Sequence, residues 1–278
     1  MSVQRFGLES GLSAPAFLAR HRAFLEADEA GNCLLLSILQ RLSELDQPPP
    51  YHLAAATTAR GAAAVLVWRS QRAMISRGPA RALHTLADEV ADRRLVSTGA
   101  VLPAPEGGAF LNRLSQRVKL HPVDRQHQRL HRLDRLVPRA QSTPGAMRAA
   151  VMAEVALFQG WLDHFATEAG IERTPGHAET LIGLRKLMVW QTDRPVAIAA
   201  IVGGTRHSQR IGLVFTPPAE RGHGYATALV AALSRQALAR SRFVTLVTDL
   251  ANPISNHIYA RLGYRPCGDI DTVALRAE

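Results

Sequence analysis

Read from the amino terminus, apolar positions first fall at helical spacing and then switch to strand-like runs. Phe17, Phe24 and Leu25 in residues 15–28 share one helical face, as do Leu35, Leu39 and Leu42 in residues 32–45, and two amphipathic helices are predicted. The triple proline Pro48-Pro49-Pro50 ends the second. Residues 51–58 and 62–68 are largely apolar on either side of Ala59-Arg60-Gly61, which predicts a hairpin. A short strand at 73–76, a helix at 79–91, a strand at 95–102 and a helix at 107–118 complete the first half. Pro103-Ala104-Pro105 reads as the loop before the last of these.

The second half repeats that order. Residues 125–137, with Leu130, Leu133 and Leu136, read as a linker or strand closed by Ser142-Thr143-Pro144-Gly145. Helices are predicted at 146–170, with a break at Gly160, and at 177–184. Three strands in a meander follow at 185–191, 195–202 and 210–215, the first two separated by Thr192-Asp193-Arg194-Pro195. A helix at 225–240, a strand at 243–250, a turn at Asn252-Pro253, a helix at 255–262 and a final strand finish the chain. Each half thus reads helix, helix, three strands, helix, strand, helix. That order predicts an α/β chain of the α+β type, built as two similar domains in tandem at 1–125 and 126–278. An unrelated first domain with the same coarse order is the alternative.

Composition narrows the class. At 278 residues and 47% hydrophobic, the chain can bury substantial cores, and no apolar run approaches the 18 residues of a membrane span. The first nine residues have mixed charge and no apolar stretch, so no signal peptide is expected. Cys33 and Cys267 lie far apart and form neither a metal-ligand spacing nor a disulfide framework, which suits a reducing cytoplasm. The formal charge of +10 is carried by scattered arginines, with only Lys119 and Lys186 as lysines and no basic run. A nucleic-acid-binding protein therefore rests on charge alone, and 5% aromatic residues leave few platforms for bases.

The chemistry concentrates after the 210–215 strand. There Thr216-Pro217-Pro218 leads into Ala219-Glu220-Arg221-Gly222-His223-Gly224-Tyr225-Ala226 and then a helix. A helix N-terminus presents unpaired N–H groups and a partial positive charge. Two glycines before it let the backbone approach an anion closely. Thr227 can add a hydroxyl and Arg221 a charge, so the segment predicts a diphosphate cradle. A dinucleotide fold would want a third glycine where Thr227 stands, and more chain than the 29 residues after Asp249. Its strands before the loop would also be separated by a helix, and here none is expected.

The segment instead resembles the GNAT superfamily of N-acetyltransferases over about residues 140–275. Arg221, Gly224 and Ala226 match the cofactor motif [Q/R]-x-x-G-x-[G/A]. Asn252, Ser255, Asn256, Tyr259, Gly263 and Tyr264 match the second motif, N-x-x-S-N-x-x-Y-x-x-x-G-[F/Y]. The resemblance implies a mixed, mostly antiparallel sheet flanked by helices, with a strand splayed from its neighbour to leave a slot for acetyl-CoA or another short acyl-CoA. It implies that the amides of Gly222, His223, Gly224, Tyr225, Ala226 and Thr227 hold the pyrophosphate. The backbone of Val214, Phe215 and Thr216 would pair with the pantetheine arm, and Asn252 and Asn256 would hydrogen-bond the cofactor. Helix capping, with Ser255 as an equal candidate for the cap, is the other role open to the two asparagines.

Tyr259 is the candidate acid for the leaving thiolate, since a phenol of pKa near 10 can protonate a thiolate whose acid has a pKa near 8.5, and a tyrosine packing against the strands is its structural alternative. Glu220 and Asp249 are candidate bases, a solvated loop charge and a brace of the Asn252 turn being their structural alternatives. The His223 ring reads as surface and Tyr264 as core. Trp161 and Trp190 read as core or pocket wall. In the first half Ser76-Arg77-Gly78-Pro79-Ala80 has one glycine and a proline without an N–H, and Gly107-Gly108-Ala109-Phe110-Leu111 offers no tyrosine, so no cofactor is expected there. The expected activity is acyl transfer from coenzyme A to a small-molecule or peptide amine by direct attack, without a metal, in a cytoplasmic monomer or homodimer. The rival is an acyl-CoA-binding or regulatory module without turnover.

Overall fold

The computed structural model describes residues 5–95, 97–138 and 143–277. The chain forms two compact units that exchange segments. The first comprises 1–130, 248–252 and 266–278, and the second 131–247 and 253–265. The last strand of the sequence therefore completes the first unit, which a division at 125/126 does not foresee.

In the first unit, β1 (Gly7–Ser10), α1 (Ala14–Ala27) and α2 (Cys33–Glu44) precede the hairpin β2 (Tyr51–Thr58) and β3 (Gly61–Arg69). Then come β4 (Ala73–Ile75), α3 (Ala80–Asp92), β5 (Gly99–Ala104), α4 (Gly107–Arg117) and β6 (Leu120–Leu133), whose last three residues belong to the second unit. The order of strands is β1-β2-β3-β4-β5, with β12 (Arg265–Ala277) next. All neighbours are antiparallel except β4 and β5, which run parallel. Alternation along β2 and β3 sorts the core. Ala54, Ala56, Ala64 and Leu66 pack under α3 and α4, while Leu53, Ala55, Val65 and Val67 pack under α1 and α2. Because both faces are covered, these strands read as continuous apolar runs.

The second unit repeats the plan with β7 (Ala146–Ala149), α5 (Val155–Glu168), α6 (His177–Gly183), β8 (Leu187–Gln191), β9 (Pro195–Gly204) and β10 (Ser208–Phe215). It continues through α7 (Tyr225–Leu238), β11 (Phe243–Asp249) and α8 (Pro253–Leu262). The strand order is β7-β8-β9-β10-β11, antiparallel except for parallel β10 and β11. Met188, Trp190, Ala197, Ala199 and Ile211 face α7 and α8, while Leu187, Val189, Ile198, Ala200 and Phe215 face α5 and α6. Each unit is thus a mostly antiparallel mixed sheet between helical layers, as expected.

The strand alternative for residues 125–137 holds, since they contain the end of the 14-residue β6, while two other local expectations are corrected. The helix read over 146–170 opens instead with a strand, because Ala146–Ala149 pairs with Met188–Gln191, and Gly160 lies inside α5 without breaking it. β5 begins at Gly99, after Leu95 and Ser97 have run as loop, and β1 was not foreseen. Part of the expected closing turn, through Ser142, lies outside the described residues. Cys33 is buried and Cys267 half-buried, and they are not joined.

Candidate functional site

The parallel ladder between β10 and β11 spans Ser208–Arg210 against Phe243–Thr245. Beyond it, Ile211–Phe215 follows an irregular course along β9, with register shifts after Arg210 and after Gly212. Leu213 sits at the fold of this bulge with φ of 54°, a left-handed conformation uncommon for a leucine. Gly212 allows the close approach, since a Cβ there would meet Val202 Cγ2 at 3.0 Å. A glycine inside a strand was the sequence signal for this bulge, and it went unread. Val214 and Phe215 thus form a strand end beyond the last rung of the parallel ladder.

After β10 the chain makes a 3-10 turn at Pro218–Glu220 and then two left-handed residues, Gly222 (φ 85°) and Gly224 (φ 77°). Gly224 is the N-cap of α7 and makes no side-chain cap. The first helical bond runs from the Ala228 N–H to the Gly224 carbonyl, so the Tyr225, Ala226 and Thr227 amides have no intrahelical acceptor. A Cβ at Gly222 would meet nothing within 4 Å, so the turn is open on its outer side. An open glycine leading through a left-handed one into unpaired helix amides forms a concavity that favours an anion. Its chemistry fits the phosphates of a coenzyme A.

Arg221 holds this turn in place. Its Nε donates to the Thr216 carbonyl at 3.0 Å and its Nη2 to both Glu168 oxygens at 2.7 and 2.8 Å, with the guanidinium 5.9 Å from the Phe215 ring centre. Glu168, at the end of α5, was not foreseen, because nothing local links it to a loop 53 residues away. Trp161 and His164 of α5 stand 6.2 and 6.4 Å from the same Phe215 ring, so Trp161 is a half-buried wall residue. Trp190 is buried and donates to the Pro144 carbonyl. The exposed His223 ring stacks on Tyr225 at 5.4 Å.

Tyr259 projects from α8 into the core, 8% exposed, with its ring 5.8 Å from that of Tyr264. Burial pushes its pKa up to about 12. Tyr264 is more deeply buried and bonds Ser234 at 2.7 Å, after Gly263 (φ 99°) has ended α8. α8 starts at Pro253, which leaves Ser255 inside its first turn and Asn252 immediately before it. Asn256 is half-buried on the same helix.

The two acidic candidates are both engaged. Glu220 receives Arg194 Nη2 at 2.9 Å. Asp249 receives Gln126 Nε2 at 2.9 Å and the Ala251 N–H at 2.7 Å, the contacts of a turn brace. Asp249 and Asn252 fall in the first unit; Arg221, the cradle, Asn256 and Tyr259 fall in the second.

The corresponding loop of the first unit is built differently. Gly78 is wedged against β3, where a Cβ would lie 2.6 Å from the Ala63 carbonyl, and Pro79 occupies the N-cap of α3. Among the described residues no group of three or more His, Cys, Asp or Glu could hold a metal, and no helix is long and apolar enough to cross a membrane.

A mixed, mostly antiparallel sheet, a strand leaving its parallel neighbour at a bulge, and an amide cradle opening the next helix define the GNAT fold, here in tandem. Comparisons find the same fold. Residues 193–270 match a family model described as FR47-like protein. A GCN5-related N-acetyltransferase from Sphaerobacter thermophilus is 17% identical over 100% of this chain and 97% of its own, with a TM-score of 0.58. An acetyltransferase of the GNAT family from Colwellia psychrerythraea is 11% identical over 98% of this chain and 100% of its own, at 0.57. A tandem GNAT protein from the clavulanic acid biosynthesis pathway is 14% identical over 98% and 97%, at 0.53. No curated protein sequence matches the chain.

Proposed function

We propose that this protein binds acetyl-CoA or another short acyl-CoA in its second unit and transfers the acyl group to a primary amine. The observation that carries the reading is the open turn at Gly222 and Gly224, with its unpaired amides, immediately after the strand that leaves its parallel neighbour. Pyrophosphate sits on the amides of residues 222–227, pantetheine pairs with Val214, Phe215 and Thr216, and Asn256 bonds the arm. Arg221 contributes chiefly by fixing the loop, since Glu168 already neutralises its charge. Residues 126–278 carry catalysis and residues 1–125 bind no cofactor.

In the reaction the neutral amine nitrogen attacks the thioester carbon, the carbon–sulfur bond breaks, the leaving thiolate takes a proton from Tyr259, and the proton lost by the nitrogen passes to solvent, from which the tyrosinate is reprotonated. A phenol held near 12 stays protonated at neutral pH and is always ready to donate. The transfer to a thiolate of ordinary basicity is uphill, but a thiolate in the same desolvated setting becomes more basic as well. One specific observation favours a second reading, a binding module without turnover: Glu220 and Asp249 are both already paired, so neither is a ready base.

Calorimetric titration with acetyl-CoA, followed by an amine screen with Tyr259→Phe as control, separates the readings. One-to-one binding with amine-dependent release of free thiol, reduced in the variant, supports transfer. Binding without turnover across amines supports the module. Absence of binding by folded protein sinks both.

A further inference from the structure

In the first unit several arginines stand against carboxylates: Arg113 and Arg117 bond Asp88, Arg93 bonds Glu89 and Arg129 bonds Asp269. Three others are grouped without one. Arg69 ends β3 in step with Val65 and Val67, which places its side chain on the face covered by α1 and α2. Arg41 lies in the last turn of α2, and Arg72 in the turn that leads to β4. That turn is closed by the Arg72 N–H on the Arg69 carbonyl at 3.0 Å. None of the three guanidiniums has a hydrogen-bond or ion-pair partner among the described residues. The acid nearest Arg41 in sequence, Glu44, instead accepts from Gln40 Nε2 at 2.9 Å. Burial holds the half-buried Arg69 below the ordinary arginine value, and the guanidiniums of Arg41 and Arg72 lower it further. Such a cluster costs stability, and only Arg41 is compensated, by the C-terminal dipole of its helix. The turn is also arranged for an anion, because its carbonyls, which would repel one, are occupied. That of Arg69 also receives Ser97 Oγ at 3.3 Å, that of Ser70 the Thr98 N–H at 3.2 Å, and that of Gln71 Thr98 Oγ1 at 3.0 Å.

We propose that Arg41, Arg69 and Arg72 hold one dianionic phosphate group, free or as a monoester, at the turn between β3 and β4. Guanidiniums match phosphate oxygens through paired N–H donors, and a dianion offsets the mutual repulsion of three cations better than a carboxylate with a single charge. A nucleic-acid backbone is disfavoured, because it asks for cations in a row along successive phosphates, whereas these are gathered about one turn. The site is independent of any acyl transfer by the second unit.

The test is calorimetric titration of the full chain with inorganic phosphate and with glycerol 3-phosphate, at constant ionic strength and about pH 8, where a monoester carries close to two charges. An Ala226→Asp background keeps phosphate off the α7 amides, so that only the first unit is read. One phosphate should bind saturably there. Arg69→Met and Arg72→Met, which keep the stem and remove the charge, should each weaken it by about tenfold or more. Without phosphate, Arg69→Met should melt no lower than its parent, because it relieves a repulsion and breaks no hydrogen bond. Tighter binding of glycerol 3-phosphate assigns the site to a monoester, and tighter binding of phosphate assigns it to the free anion. The proposal is overturned if the folded chain binds neither probe saturably, or if the two variants bind as their parent does. It is equally overturned if Arg69→Met melts lower in the absence of phosphate, which would make the cluster a structural one.

Discussion

Replacing Ala226 by aspartate separates cofactor binding from stability, because the two should respond differently. Ala226 is the second residue of α7, half-buried, and directly follows the unpaired amide of Tyr225. A carboxylate in a first helical turn interacts favourably with the helix dipole by about 0.3–1 kcal/mol. The lower helix propensity of aspartate offsets about 0.5 kcal/mol of that. Net stability should change by less than about 0.5 kcal/mol, or roughly 2 °C in melting temperature for a chain of this size. The same carboxylate stands where a diphosphate would sit. At about 4 Å, like charges repel by about 1 kcal/mol in water and about 4 kcal/mol near a partly desolvated surface. Acetyl-CoA affinity should therefore fall by about fivefold to a thousandfold. Calorimetry gives the dissociation constant and differential scanning calorimetry the melting point. A folded variant that binds within twofold of wild type would falsify the placement of the phosphates on α7.

Replacing Arg221 by lysine keeps the charge but cannot span both the Thr216 carbonyl and Glu168, so acetyl-CoA binding should weaken several-fold with stability changed by less than about 1 kcal/mol. Equal affinity in Arg221→Lys would show that the loop needs no brace. Tyr259 contributes stability that is complete below the unfolded phenol value near 10 and is lost as pH rises toward 12. Urea midpoints should fall between pH 9 and pH 11 in wild type and less so in Tyr259→Phe; identical slopes would contradict its burial. Burial holds His21, His52 and His177 below the ordinary imidazole value. Their contribution is present above pH 6.5 and lost as pH falls through the lowered values. The midpoint should drop between pH 7 and pH 5, less steeply in His52→Gln, and a flat profile would refute the assignment.

What could be read in the sequence was local. The cradle lies in one contiguous stretch, and glycines at 222 and 224 are needed because the backbone there is left-handed. The second motif was equally compact, with Gly263 ending α8 and Tyr264 entering the core. What escaped depends on partners far along the chain. Ala146–Ala149 has the composition of a helix and becomes a strand only because β8 lies beside it. The Arg221–Glu168 pair spans 53 residues, and the bonds from Gln126 to Asp249 and from Arg129 to Asp269 span 123 and 140. Periodicity carries no information about such pairings, which is also why the placement of β12 in the first unit was illegible.

The contrast between the units shows that the order of elements alone does not make a phosphate site. Both join a short parallel pair through a helix, β4 to β5 through α3 and β10 to β11 through α7. In the second unit the residue before the helix is Gly224, left-handed, and the glycine two positions earlier faces open space. In the first unit the residue before α3 is Pro79, extended at φ −64°, and Gly78 before it is pinned against Ala63. A proline there is compatible with starting a helix, so α3 forms as readily as α7, but the amides are not turned outward. Restoring glycine at position 79 would return one N–H without freeing Gly78 from β3. The closed form of that loop is therefore built into its packing on the sheet.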